Sequence, residues 1–138
     1  MKYFITGATG FVGGVLARQL REAGHEVRAS VRSIEKAKDL QALGVKLFKG
    51  DVTDKESMRE PMTGVDGVYH VAGWYKVGAH DKSGGEKVNV QGTRNVLELS
   101  TTPTACGPRT AVHVEAFPSV HPLGPAELPA VANALTCA

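Results

Sequence analysis

A glycine-spaced turn at the N-terminus, Thr6-Gly7-Ala8-Thr9-Gly10-Phe11-Val12-Gly13, constrains this chain more than any other feature. It follows the apolar run Tyr3-Phe4-Ile5 and leads into Val12, Val15, Leu16 and Leu20. Their spacing is that of one helix face, so the glycines sit where a strand turns into a helix. At such a place the backbone N–H groups and the positive end of the helix face outward together, an arrangement suited to a pyrophosphate. The spacing is Gly-x-x-Gly-x-x-Gly, and no Gly-Lys-Ser/Thr follows, which argues against a nucleotide-hydrolysing phosphate loop. The turn predicts dinucleotide binding.

The first hundred residues carry alternating strand and helix signals. Lys2 to Thr6 reads as a strand and Phe11 to Ala23 as a helix closed by Gly24. Glu26 to Arg32 reads as a second strand, Ile34 to Leu43 as a short charged helix, and Val45 to Lys49 as a third strand. Thr53 and Glu56 have the spacing of a capping box for a helix that Pro61 and Gly64 bring to an end. Gly67 to Ala72 reads as a fourth strand, and Val88, Gly92, Val96 and Leu99 line one face of a last helix. Repeated strand–helix units predict an α/β fold, a doubly wound parallel sheet with helices on both faces.

Past Ser100 the text changes. Residues 101–138 hold three charged residues and six of the seven prolines, while Lys and Tyr do not recur after Lys87 and Tyr75. Thr110 to Val114 is compatible with one more strand, and the remainder reads as an irregular Pro-rich tail. Residues 1–100 are therefore expected to form a partial dinucleotide-binding domain. Residues 101–138 are expected to be an atypical Ala/Pro/Thr-rich tail, either a truncated end or an out-of-frame continuation.

A formal net charge of +2 is too mild for a nucleic-acid or membrane surface, and no apolar run approaches the length of a membrane span. Without a secretory signal pattern, and with two cysteines, Cys106 and Cys137, at no metal-ligand spacing, a cytoplasmic location is expected. His25, His80, His113 and His121 have no spacing that suggests a metal site.

Three further segments accompany the glycine turn: Gly50-Asp51-Val52-Thr53-Asp54, Val68-Tyr69-His70-Val71-Ala72-Gly73-Trp74-Tyr75-Lys76, and Asn89-Val90-Gln91-Gly92-Thr93-Arg94-Asn95-Val96-Leu97. Together the four resemble the N-terminal part of an extended short-chain dehydrogenase/reductase. The resemblance is to the NAD-dependent epimerase/dehydratase group and its dihydroflavonol-reductase-like members, and it implies a Rossmann-type fold. It also implies that Gly7, Gly10 and Gly13 line the pyrophosphate with the N–H groups of Phe11 and Val12 facing it. Gly13 has the alternative role of close helix–strand packing. Asp51 and Val52 would flank the adenine, with Asp51 as a turn cap the alternative. Ala72 and Gly73 would let the nicotinamide ribose approach.

Asn89 would support the active site or be an ordinary helix residue. His70 reads as a packed strand residue. Trp74, Tyr75 and Lys76 would border the substrate or form a surface loop. Ser30-Val31-Arg32-Ser33 ends the second strand without the Asp or Glu that an NAD ribose requires. Arg32 stands where a 2′-phosphate would be met, or is a solvated arginine; NADP is expected over NAD.

The family's chemistry rests on a Ser or Thr, a Tyr, and a Lys four residues after that Tyr; the lysine lowers the phenol pKa for proton exchange. No Tyr-x-x-x-Lys occurs in this chain. The resemblance therefore implies the cofactor-binding portion of an oxidoreductase or epimerase, catalytically incomplete and with substrate contacts supplied elsewhere. A non-catalytic NADP-binding sensor or scaffold is the alternative.

Overall fold

The computed structural model describes residues 1–74, 83–101 and 106–114. Strands β1 (Lys2–Thr6), β2 (Glu26–Val31), β3 (Lys46–Lys49), β4 (Val65–His70) and β5 (Cys106–Val114) form one sheet in the order β3-β2-β1-β4-β5. Every pairing is parallel. Helices α1 (Phe11–Glu22) and α2 (Lys38–Ala42, preceded by a 3₁₀ turn at Glu35–Ala37) join the first three strands; α3 (Lys55–Met62) joins β3 to β4. A helical segment then runs from α4 (Ser83–Gly85) through a π-helical stretch, Glu86–Gly92, into α5 (Thr93–Ser100).

Alternation along the strands divides the core between the two sheet faces. Ile5, Val27, Ala29 and Val31 pack with Ala17, Ala37 and Leu40 from α1 and α2. Phe4, Val65 and Val68 pack with Met58 and Met62 of α3 and Val96 and Leu99 of α5. Neighbouring residues of β1 thus feed opposite layers, which is the side-chain period of a strand. Val96, Leu99 and Gly92 are buried and Val88 packs against the same layer, so the apolar face expected on the last helix is present. Arg28 fastens β2 to the end of α3 by donating to the Pro61 and Thr63 carbonyls at 3.4 and 3.0 Å. A cation over the last carbonyls of a helix is favourably placed.

Two details depart from expectation. The cap of α3 is Asp54, not Thr53: the Asp54 carboxylate accepts from the backbone N–H groups of Glu56 and Ser57 at 3.2 and 3.4 Å. The Thr53 hydroxyl donates instead to Asp51 Oδ1 at 2.7 Å, and Glu56 pairs with Arg59. A carboxylate outcompetes a hydroxyl for the orphan amides, and the turn at Asp51 has already taken Thr53. The fifth strand is also longer than Thr110 to Val114. Val65 pairs with Cys106 and Gly67 with Ala111, so an irregularity in β5 absorbs Pro108, where a proline's missing donor is tolerated. Tyr75, Lys76 and residues 115–138 of the tail lie outside the described residues.

Candidate functional site

At the carboxyl edge of the sheet a cleft of about 300 Å³ is lined by Gly7, Thr9, Gly10, Ser30, Arg32, Gly50, Asp51, Val52, Val71, Ala72, Gly73, Trp74 and Val88. It therefore gathers the ends of β1, β2, β3 and β4. In open α/β sheets this edge is where ligands bind. Seven of the ten residues expected to hold a cofactor meet there: Gly7, Gly10, Arg32, Asp51, Val52, Ala72 and Gly73.

The glycine turn divides its labour. Gly7 has φ +74°, and a Cβ on it would lie 2.6 Å from the Ala72 nitrogen. Gly13 is buried, and its Cβ would fall 2.3 Å from the Gly7 carbonyl oxygen. Gly13 thus packs closely against the turn and is not among the residues lining the cleft. Gly10 is exposed and caps α1 without a side chain; only the Gly7 oxygen lies near its would-be Cβ, at 3.3 Å. The first turn of α1 thus carries no side-chain cap, leaving its backbone amides available. The side chains of Phe11 and Val12 face elsewhere, into a larger apolar groove of about 470 Å³ shared with Val15, Leu16, Tyr69 and Val71. What is expected of these two residues concerns only their backbone N–H groups.

Arg32 is exposed beside the cleft, with no hydrogen bond or ion pair among the described residues. Its charge is felt by Asp51, whose carboxyl is held below the usual carboxylate range. The main causes are the Thr53 backbone amide and hydroxyl, with Arg32 adding a smaller attraction. Asp51 thus caps the turn through Thr53 and also lines the cleft.

Beyond Ala72 the chain is clamped. Asn89 Oδ1 accepts from the Trp74 amide at 2.7 Å, and its Nδ2 donates to the Trp74 carbonyl at 3.0 Å. The Trp74 ring lies against Gly84 and Gly85, where an added Cβ would come within 3.1 Å. Wide π-helical turns often mark places where a helix re-aims a residue, and Asn89 sits on one. Thr9, Ser30 and Val88 join the cleft without a sequence signal, because only the sheet order brings their segments together. His70 is buried as expected.

A parallel sheet in this order, with a glycine turn after β1 and a cleft at its carboxyl edge, defines a Rossmann-type α/β domain. The chain belongs to the NAD-dependent epimerase/dehydratase family, whose model matches residues 3–130. It is 41% identical over 95 residues to a putative dihydroflavonol 4-reductase of Synechocystis, covering 69% of this chain and 27% of that protein. Among solved structures it is similar to Thermus thermophilus UDP-glucose 4-epimerase in complex with NAD. That match has 29% identity and a TM-score of 0.62, and covers 72% of this chain and 33% of the epimerase. Yeast methylglyoxal/isovaleraldehyde reductase complexed with NADPH shares the fold at a TM-score of 0.70 and 22% identity, over 83% of this chain and 36% of the reductase. The chain thus spans about a third of the length of these relatives. Among the described residues no helix is long and apolar enough to cross a membrane.

Proposed function

We propose that this chain is the cofactor-binding portion of a nicotinamide-dependent oxidoreductase or epimerase, and that it takes NADP in preference to NAD. The observation that carries the reading is the Arg32 guanidinium at the end of β2, without a hydrogen bond or ion pair among the described residues, beside a cleft whose β2 rim bears no acid. A planar cation there suits a 2′-phosphate, whereas NAD sites place a carboxylate on the ribose hydroxyl. The open first turn of α1 fits a pyrophosphate, Asp51 and Val52 fit an adenine, and the small residues Ala72 and Gly73 fit the nicotinamide ribose. The cofactor would supply hydride chemistry at a carbonyl or hydroxyl carbon. This chain's residues bind and orient it, and Asn89 steadies the Trp74 backbone at its edge.

Calorimetric titration with NADPH and NADH tests this reading. Arg32→Ala is expected to weaken NADPH binding about tenfold or more and NADH binding less than about twofold, as for loss of one charge-assisted contact. Equal losses remove the NADP preference, and a native chain that binds neither nucleotide removes the cofactor reading.

A further inference from the structure

On the inner side of the cleft a hydrogen-bond chain links three elements. Thr6, the last residue of β1, is fully buried. Its carbonyl accepts from the Val71 amide at 3.2 Å, and its hydroxyl accepts from the Ala72 amide at 3.3 Å. The same hydroxyl is hydrogen-bonded to His70 Nδ1 at 2.6 Å, the ring's tautomer setting which of the two donates. On the other side of the ring, Nε2 is hydrogen-bonded to the Thr93 hydroxyl of α5 at 3.0 Å. His70 is 3% exposed. Both amides just beyond β4 therefore hang on Thr6, and the hydroxyl of Thr6 is oriented by His70.

We propose that Thr6 and His70 are positioning residues for the dinucleotide, their hydrogen-bond chain to Thr93 fixing the Ala72 backbone and so the width of the cleft between β1 and β4. The inference rests on the reading of the cleft as a cofactor site. Its force comes from the contact between Ala72 and the glycine turn. The space above Gly7 ends at the Ala72 nitrogen, so a shift of Ala72 changes the space beside the phosphate turn. One buried hydroxyl thus sets both ends of the cleft relative to each other.

The test is NADPH affinity of the full chain, with thermal unfolding recorded alongside. Thr6→Val keeps the shape of the side chain and removes the hydroxyl; the expected rise in Kd is about tenfold, the size of one lost buried hydrogen bond. Thr6→Ser restores the hydroxyl and is expected within about twofold of native. Val65→Ala, at the opposite end of β4, is a destabilised control expected to bind normally. Should Thr6→Val fail to fold, His70→Asn takes its place; it keeps a hydrogen-bonding group near the Nδ1 position, cuts the link to Thr93, and is expected to raise Kd several-fold. Native affinity in a folded Thr6→Val or, in its place, His70→Asn overturns the inference. So does an equal loss of affinity in Val65→Ala. A native chain that binds neither NADPH nor NADH overturns the cofactor reading and this inference with it, whereas the first two results leave that reading intact.

Discussion

Gly13 and Gly14 are neighbours on α1 that answer to different constraints. A methyl group on Gly13 would collide with the Gly7 carbonyl, 2.3 Å away, whereas one on Gly14 would rest 3.4 Å from the Ala8 oxygen. Gly13→Ala is therefore expected to cost about 3 kcal/mol, as overpacking against backbone does, and to lower Tm by roughly 10 °C. Gly14→Ala is expected to be neutral or to gain up to about 1 kcal/mol of helix propensity. Differential scanning calorimetry on the pair checks both. The sequence marks the glycine triplet by its spacing and its place between strand and helix. It does not mark which glycine is packed and which is left exposed, because that depends on how close Ala72 and Gly7 come once β4 is docked beside β1.

The elements were legible to within a residue or two where hydrophobic period and glycine stops agree, as for β1, α1 and β2. Legibility failed where two polar residues competed for one task. The cap of α3 is decided between Thr53 and Asp54, and the deciding fact is the engagement of Thr53 by Asp51, a turn rather than a helix signal. Asp54→Ala is accordingly expected to destabilise the chain by about 1 kcal/mol in urea unfolding, with little change in cofactor affinity. The extent of β5 was likewise hidden, since Pro108 reads as a strand breaker until the irregular register against β4 is known. The π-helical stretch left no local signature; a Cβ on Gly92 would lie 2.8 Å from Val52 Cγ2, a constraint imposed from β3's side of the cleft.

At the scale of the molecule, stability should follow the protonation of buried His70. Burial pushes its pKa below the ordinary 6.5, so the folded state resists a proton that the unfolded chain accepts. Stability is then fully present above the ordinary histidine range and is lost as pH falls from there towards the depressed native value. Asp51, Glu26, Glu56 and Glu98, all held low by hydrogen-bonded partners, give a second decline at acid pH. Tm recorded from pH 8 to pH 3 should show both steps, and His70→Asn should remove the first. The candidate site as a whole was more legible than its supports, because its residues announce themselves by type, whereas Thr6 and Thr93 are ordinary threonines until the sheet brings them to His70. The apolar groove beside α1 has a thermodynamic counterpart. Phe11 is 90% exposed and Val15 45%, so part of the apolar surface is hydrated before any unfolding occurs. Unfolding then wets less new hydrocarbon than usual, and the heat-capacity increment should fall short of the common ~12–15 cal/mol/K per residue. A smaller increment flattens the curve of stability against temperature, leaving a chain that loses little stability on cooling.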